Sequence, residues 1–314
     1  MSGGVKVAAV VGATASGKTS LSVELARRLN GEVISADSMQ IYQGLSIATA
    51  KPTPEEMQGI PHHLIDFVPL DEEFSVAQFC ELGHEAMADI ASRGKLPIVC
   101  GGTGLYVDSL LNNIIFADIP SDEALRDRLN TEFDRTGGEP LLERLRLVDP
   151  ETASRLSPAD KKRIVRGLEV FELSGTTLSE FNRRSRAFPD RYQSVMIGIG
   201  YRDRQKLYDR INLRVDSMLQ AGLLDEVRSF YEGNAGKTVI QAIGCKELLP
   251  YLRGEQTLDE AVENLKMETR RFAKRQLTWF RRNDKIIWIY ADECDSFGIL
   301  ASRAENEIRS RMNL

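Results

Sequence analysis

One short segment near the start of the chain has the residue types that bind phosphate. It fits the pattern G-x-x-x-x-G-K-[ST] at every fixed position. Glycines let backbone amides turn towards an anion, Lys18 adds a mobile positive charge, and the Thr19 hydroxyl is a candidate ligand for Mg²⁺. The segment therefore predicts a site for a di- or triphosphate. Its residues are Gly12, Ala13, Thr14, Ala15, Ser16, Gly17, Lys18 and Thr19.

Asp37 is the carboxylate that best fits a place beside this loop. ATP-hydrolysing enzymes with such a loop usually have a strand that ends in Asp, which holds Mg²⁺ and positions water. The best candidate for that strand, at 96–100, ends in glycines. Asp37 instead follows a strand predicted at 32–35, and parallel strands bring their carboxyl ends to one sheet edge. From this position Asp37 can be a metal ligand, a general base or a helix N-cap.

The elements that must position these groups alternate between strand and helix in the first third of the chain. Hydrophobic patterns predict strands at 5–11, 32–35 and 96–100, a helix from Thr19 and another over 77–92. This succession is typical of a parallel sheet covered by helices on both faces. We therefore expect an α/β fold.

The pattern changes after about Ile114 and changes back near Ser194. From Asp122 to Phe181 it indicates charged amphipathic helices and no strand. The elements predicted after that are a strand at 194–200, long helices at 205–231, 239–252 and 257–282, and a strand at 285–290. We expect a core formed by residues 1–113 and 194–314, with an all-helical insertion domain over 114–193.

The composition excludes several classes of protein. With 42% hydrophobic and 28% charged residues, the chain is neither collagen-like nor disordered. No apolar run approaches the ~18 residues that span a bilayer, and the apolar run 5–11 does not lead into a signal-peptide cleavage site. We expect a cytoplasmic protein without a membrane partner. The four cysteines contain no Cys-x-x-Cys pair, which argues against a zinc ribbon or a disulfide framework.

Two basic tracts stand out against a net charge of −5. The tract 161–191 holds eight basic and four acidic residues, and the tract 266–285 holds eight basic and two acidic residues. Local basic surfaces on an acidic chain are typical of proteins that bind nucleic-acid phosphates. Solvated helix faces produce the same pattern, so charge alone leaves both interpretations open.

Several segments together resemble the tRNA dimethylallyltransferases, also called tRNA isopentenyltransferases. The resemblance extends from residue 7 to about residue 290 with consistent order and spacing. The matching segments are Gly12–Thr19, Ser35–Gly44, Ile47–Pro52, Pro61–Leu64, Gly101–Tyr106, Arg163–Val170, Gln241–Gly244 and Arg271–Trp279. The bacterial form is the better match, because the sequence has no zinc finger of the kind that eukaryotic members carry at their C-terminus.

This resemblance implies a P-loop NTPase-like fold and a prenyl transfer reaction. The family moves a dimethylallyl group from dimethylallyl diphosphate to N6 of the adenosine 3′ of the anticodon in tRNA, and it uses Mg²⁺. A departing diphosphate also explains why the phosphate loop lacks a water-positioning Asp. The expected partners are the tRNA anticodon stem-loop and dimethylallyl diphosphate, and we expect a monomer.

The resemblance also assigns roles to residues. Asp37 matches the general base, Lys18 contacts the diphosphate, and Thr103 lies near the reacting nucleotide. Arg210 and Arg214 lie one helical turn apart, and one of them is expected to clamp the diphosphate. The expected tRNA contacts are Asp37, Ser38, Met39, Gln40, Thr103, Lys162, Arg163, Ile164, Val165, Arg166, Gln241, Ala242, Ile243, Gly244, Cys245, Lys246, Arg271, Lys274 and Arg275. Cys245 stands where a tyrosine is usual in the family.

Three other functions share part of the pattern. A P-loop small-molecule kinase and an adenylate isopentenyltransferase that acts on free nucleotide would both explain the phosphate loop, but neither needs two basic tracts. An RNA-binding GTPase-like module would need a guanine-reading motif such as Asn-Lys-x-Asp, which the sequence lacks. The sequence therefore favours prenyl transfer to tRNA.

Overall fold

The computed structural model describes residues 4–112, 122–186, 191–232 and 236–314. The strands in these ranges are β1 (Val5–Gly12), β2 (Gly31–Ser35), β3 (His62–His63), β4 (Leu96–Gly101), β5 (Tyr192–Gly200) and β6 (Ile286–Tyr290). The helices up to residue 186 are α1 (Lys18–Leu29), α2 (Pro54–Met57), α3 (Val76–Ser92), α4 (Gly104–Leu111), α5 (Glu123–Thr136), α6 (Gly138–Val148), α7 (Pro150–Ala153), α8 (Lys161–Ser174) and α9 (Leu178–Arg186). The later helices are α10 (Arg204–Gln220), α11 (Leu223–Glu232), α12 (Lys237–Ile240), α13 (Cys245–Leu252), α14 (Leu258–Phe280) and α15 (Phe297–Met312).

The strands form one parallel sheet in the order β3-β2-β4-β1-β5-β6. β1 lies in the middle, where Val10 is paired with Cys100 of β4 and with Ile197 of β5. Its residues from Val7 to Gly12 are buried, as expected of a continuous apolar strand covered on both faces. Because every strand runs the same way, the loops after β1, β2 and β4 lie at one edge of the sheet.

Helices supply the apolar cover of the sheet. Leu21 and Leu25 of α1 are fully buried in a cluster with Ile197 of β5 and with Ala304 and Ile308 of α15. The helices α3 and α14 also contact β1. This arrangement confirms the predicted α/β fold with a parallel sheet and helices around it.

The chain divides into two compact units, residues 1–111 with 191–314, and residues 112–190. The expected boundary at residues 113 and 114 lies outside the described residues. In the second unit, the described residues 122–186 form the helices α5 to α9 and no strand. Its apolar core contains Leu129, Leu141, Leu145, Ile164 and Leu168, each at most 2% exposed.

Two of the long helices predicted in the second half of the chain are interrupted. The helix expected at 205–231 consists of α10 and α11, which are separated at Ala221 and Gly222. Gly222 has a φ of +98°, which glycine adopts without the Cβ clash that other residues suffer. The helix expected at 239–252 is interrupted by the turn 241–244 before α13. The sequence patterns also did not predict α2, β3, α4 or α15.

None of the helices that the structure describes is both long and apolar enough to cross a bilayer.

Candidate active site

The phosphate loop connects β1 to α1 at the carboxyl edge of the sheet. The Lys18 ammonium donates a hydrogen bond to the carbonyl of Ala13 at 2.8 Å. Arg210 of α10 donates from Nε to the carbonyl of Ala15 at 2.9 Å. Burial lowers the pKa of Lys18 to about 8, because removing the ammonium from water disfavours its charged form. The loop therefore holds its lysine ready to exchange a backbone carbonyl for an anion.

Asp37 lies in the loop after β2, against the glycine-rich loop after β4. The Ser38 backbone amide donates to the Thr103 hydroxyl oxygen at 3.0 Å, and that hydroxyl donates to the Ser38 hydroxyl at 3.3 Å. The Asp37 carboxylate accepts the backbone amide of Met39 at 2.9 Å, and no helix begins at this point. The structure thus removes the helix N-cap from the roles considered for Asp37.

These loops open into one cavity of about 310 Å³. Its polar lining includes Thr14, Lys18, Thr19, Asp37, Ser38, Thr103 and Arg214. The rest is largely apolar and includes Val215, Met218, Leu223, Ile243, Leu265 and Phe272. The cavity therefore offers both anion-binding groups and an apolar surface suited to a hydrocarbon group.

Arg210 and Arg214 differ although they lie on one helix. The Arg210 side chain is bound to the loop carbonyl of Ala15, and the residue is exposed. Arg214 lines the cavity, and burial lowers its pKa. Among the described residues no hydrogen bond or ion pair to its guanidinium is found at contact distance, although Asp37 acts on its charge. Arg214 is thus a cation available to an anion in the cavity.

Gln40, Met39 and the turn 241–244 also border the cavity. The Gln40 amide donates to the carbonyls of Thr49 and Ala50 at 3.2 and 3.1 Å, so its side chain holds a neighbouring part of the wall. Cys245 is only 2% exposed and lies in the apolar cluster beside this turn. Lys246 is exposed and pairs with Glu247 at 3.5 Å. The side chain of Cys245 therefore does not reach the cavity.

The predicted RNA contacts on α14 lie on its exposed surface. Arg271, Lys274 and Arg275 are all exposed. Arg271 pairs with Glu268 at 2.5 Å, and the Arg275 guanidinium lies 5.8 Å from the Phe272 ring centre. These three side chains do not line the cavity.

The predicted RNA contacts on α8 belong to the second compact unit. Lys162 and Arg163 are exposed, and Arg163 lies 3.8 Å from Asp160. Arg166 pairs with the buried Glu169 at 2.9 Å. Ile164 and Val165 are buried in the apolar core of this unit, at 0% and 3% exposure. Of the five predicted contacts on this helix, only Lys162, Arg163 and Arg166 therefore present side chains that RNA can contact.

Most apolar residues that line the cavity had no role predicted from the sequence. Met218, Leu223, Leu265 and Phe272 belong to amphipathic helices, where cavity-facing and core-facing apolar residues have the same periodicity. Sequence reasoning also did not assign a role to Gln276, which lines the cavity from α14. No pattern in a single sequence distinguishes these residues from ordinary core positions.

The residues present fit a magnesium ion that is brought with a phosphate. Among the described residues, no cluster of three or more His, Cys, Asp or Glu side chains could hold a metal. Mg²⁺ keeps several waters and is commonly bound by substrate phosphates with one or two protein oxygens. The hydroxyl of Thr19, which lines the cavity, supplies an oxygen of this kind.

Comparison with known proteins relates this site to one family. Residues 40–283 match the family model described as IPP transferase. The chain is 51% identical to the tRNA dimethylallyltransferase of Acetivibrio thermocellus, over 92% of this chain and 93% of the relative. It is 44% identical to that of Thermoanaerobacter sp., over 98% and 99% of the two chains.

Solved structures agree with this relation. The tRNA isopentenylpyrophosphate transferase of Bacillus halodurans is similar with a TM-score of 0.73 and 42% identity, over 98% of both chains. A eukaryotic dimethylallyltransferase acting on tRNA is similar with a TM-score of 0.83 and 32% identity, over 97% of this chain and 79% of the other. The chain therefore belongs to the IPP transferase family, the family of the tRNA dimethylallyltransferases.

Proposed function

We propose that this protein transfers a dimethylallyl group from dimethylallyl diphosphate to N6 of the adenosine 3′ of the anticodon in tRNA. The reaction releases diphosphate. Family membership supports this function, and one observation carries it for this chain. One cavity is lined both by the charged residues Lys18, Arg214 and Asp37 and by apolar side chains. A diphosphate, a five-carbon hydrocarbon group and a base for the acceptor nitrogen would each find a chemically matching surface there.

The reaction forms one C–N bond and breaks one C–O bond. The N6 lone pair attacks the allylic carbon, the C–O electrons leave with the diphosphate, and a proton leaves N6. Adenine N6 is a poor nucleophile because its lone pair is delocalised into the ring. Stabilisation of the departing anion is therefore the larger demand on the protein.

We assign the departing diphosphate to the phosphate loop and Arg214. Lys18 would exchange the Ala13 carbonyl for a phosphate oxygen, and Arg214 of α10 would add a second positive charge. Mg²⁺ held with Thr19, when bound, would supply further neutralisation of the leaving group. Arg210 would support the loop through Ala15 and not contact the diphosphate directly.

We assign the proton to Asp37, as the general base. The Thr103 hydroxyl fixes the neighbouring Ser38 amide, so the base lies on a braced loop. The apolar residues Met218, Leu223 and Leu265 would enclose the dimethylallyl group and keep water from the cationic carbon. Exclusion of water matters because an allylic cation would otherwise be hydrolysed.

We assign tRNA contacts to exposed basic side chains on two elements. On α14 these are Arg271, Lys274 and Arg275, and on α8 they are Lys162, Arg163 and Arg166. The acceptor base must leave its stack to reach the cavity, as other base-modifying enzymes require. The turn 241–244 would then contact the nucleotide at the rim.

A single assay tests the proposed function. Labelled dimethylallyl diphosphate and Mg²⁺ are offered with unmodified tRNA, with AMP or with no acceptor. We expect label in tRNA alone. Label in AMP would instead indicate prenyl transfer to free nucleotide, and phosphorylated acceptors detected by mass spectrometry would indicate a kinase.

A further inference from the structure

Gln276 joins the phosphate loop to the glycine-rich loop after β4. Its side-chain oxygen accepts the backbone amide of Thr14 at 2.8 Å. Its side-chain nitrogen donates to the carbonyl of Gly102 at 3.0 Å. An N–H group needs an acceptor and a carbonyl needs a donor, so both contacts together fix the orientation of this carboxamide. The residue is only 6% exposed, and an unmade hydrogen bond would be costly there.

The glycine-rich loop is shaped to receive this side chain. A Cβ atom at position 102 would lie 2.2 Å from the Gln276 side-chain nitrogen, which only glycine avoids. One turn further along α14, the Trp279 indole donates to Asp108 of α4 at 2.6 Å. The helix α14 therefore holds this loop and the helix after it at two points.

The same loop carries the group that braces the proposed base. Thr103 follows Gly102 directly, and its hydroxyl accepts the Ser38 amide beside Asp37. Gln276 thus connects the phosphate loop to the glycine-rich loop. Through Thr103, the glycine-rich loop is in turn bonded to the loop that carries Asp37. Both partners of Gln276 are backbone groups, and each of the two polar atoms of the side chain already has a partner in the protein.

We propose that Gln276 is a positioning residue that fixes the distance between the diphosphate cradle and the general base. The inference rests on the proposed prenyl transfer. A base and a leaving group must flank the reacting atoms at one distance, and a displacement of about 1 Å can cost roughly a hundredfold in rate. Because Gln276 acts through backbone atoms, its loss changes the rate of the bound complex more than it changes substrate binding.

Two substitutions with different hydrogen-bonding capacity test this role. Gln276→Met keeps the approximate length of the side chain and removes both hydrogen bonds. Gln276→Glu keeps the acceptor for Thr14 and can donate to Gly102 only while its carboxyl is protonated. Gln256→Met is the matched control, because Gln256 donates its amide to the carbonyl of Glu247 at 3.3 Å and does not line the cavity.

We expect Gln276→Met to lower kcat roughly a hundredfold, with both KM values within about twofold of the wild type. Burial raises the pKa of a carboxyl above its ordinary value of about 4.3, and position 276 is buried. The ratio of kcat for Gln276→Glu to that of the wild type should therefore rise as the pH falls from about 8 to about 5. The same ratio for Gln276→Met should stay flat. Gln256→Met should match the wild type throughout.

The pH-dependent ratio separates positioning from mere folding support, since it is read within one folded variant. A flat ratio for Gln276→Glu would overturn the proposal. So would a Gln276→Met variant that keeps its kcat and raises the KM of the donor, because Gln276 would then contact the substrate. If the wild type itself transfers no label to tRNA, the proposed function is contradicted, and the role of Gln276 falls with it. A wild type that transfers label while the Gln276 variants behave like it would contradict the role of Gln276 alone.

Discussion

The Thr103 hydroxyl accepts the Ser38 backbone amide at 3.0 Å. This hydrogen bond joins the ends of β2 and β4, which are neighbours in the sheet although 60 residues of chain lie between them. It leaves the adjacent carboxylate of Asp37 facing the cavity with one internal hydrogen bond, from Met39. A carboxylate held in this way can accept a proton without first rearranging its loop.

Replacement of that carboxylate should separate binding from chemistry. We expect Asp37→Asn to lower kcat by about 10²- to 10⁴-fold, the range by which a positioned base accelerates proton transfer. Affinity for tRNA should change by less than about twofold, because the amide keeps the size and the hydrogen bond of the original side chain. Single-turnover transfer and filter binding measure the two quantities. Unchanged turnover would remove Asp37 from the mechanism.

The two arginines of α10 should differ in their effect on the donor. We expect Arg214→Ala to weaken diphosphate binding roughly 10- to 100-fold, the usual value of a charge-assisted hydrogen bond in a buried site. Arg210→Ala should cost less, since its side chain contacts a loop carbonyl. Calorimetric titration with inorganic diphosphate and Mg²⁺ compares the variants directly. A larger loss in Arg210→Ala would reverse the assignment.

Diphosphate affinity should depend on pH through Lys18. Its pKa is lowered to about 8 by burial, so the ammonium is present below that pH and is lost above it. Cys100, Arg214 and Asp37 face the same group, and only the charge of Arg214 opposes it. We expect the dissociation constant of diphosphate to rise roughly tenfold between about pH 7 and about pH 9. The variant Lys18→Met, titrated in parallel, corrects for the ionisation of diphosphate itself and should lack this rise.

RNA binding should weaken steeply with salt. Proteins that bind phosphates release counterions from RNA, and we expect the affinity to fall tenfold or more between about 50 and about 200 mM salt. Removing Arg271, Lys274 and Arg275 together should reduce the slope by about one unit for each RNA phosphate that is no longer neutralised. The control variant replaces Arg303 and Arg311 of α15 and should keep the slope. An identical slope in all three proteins would exclude α14 from the RNA surface.

Glu32 of β2 should contribute to the stability of the fold through its ion pairs, and its side chain is 2% exposed. It accepts from Arg93 at 2.8 Å, Lys95 at 2.7 Å and His63 at 2.7 Å. Hydrogen bonds from Arg93 hold the pKa of Glu32 far below its usual 4.5. The ionised Glu32 therefore stabilises the folded protein above about pH 4.5. This stabilisation is lost as the pH falls towards the pKa of Glu32 in the folded state.

We expect Glu32→Gln to lower the free energy of unfolding by about 2 kcal/mol near neutral pH, less than for a fully buried pair because its partners are partly exposed. The difference between variant and wild type should narrow as the pH falls below about 4, where the unfolded-state carboxylate is protonated. Urea unfolding at both pH values measures this. A difference that does not vary with pH would show that the ion pairs contribute nothing.

The sequence predicted the parts of the molecule that local patterns encode. The apolar run before Gly12 and the spacing of Lys18 predicted β1, the phosphate loop and α1. Because parallel strands end at one sheet edge, Asp37 was expected beside this loop, and it lines the same cavity. Family resemblance led to the same fold, and the comparisons confirm the family.

Other features depend on tertiary packing that no local pattern contains. The break between α10 and α11 requires the positive φ of Gly222, whereas the apolar pattern continues across it. Met218 and Leu223 line the cavity with the same periodicity as core residues. The resemblance marked Ile164 and Val165 together with Arg163, but similarity in a segment does not show which side chains turn inward.

The position of β1 in the middle of the sheet has a consequence for synthesis. One neighbour, β4, ends at Gly101, but the other, β5, begins only at Tyr192. While the ribosome makes the residues between them, β1 exposes a row of unpaired backbone groups on one side. A strand with an unpaired edge is prone to aggregate until β5 has been synthesised and pairs with it. Nascent chains arrested before Tyr192 should therefore depend on chaperones more than chains that have emerged past Gly200.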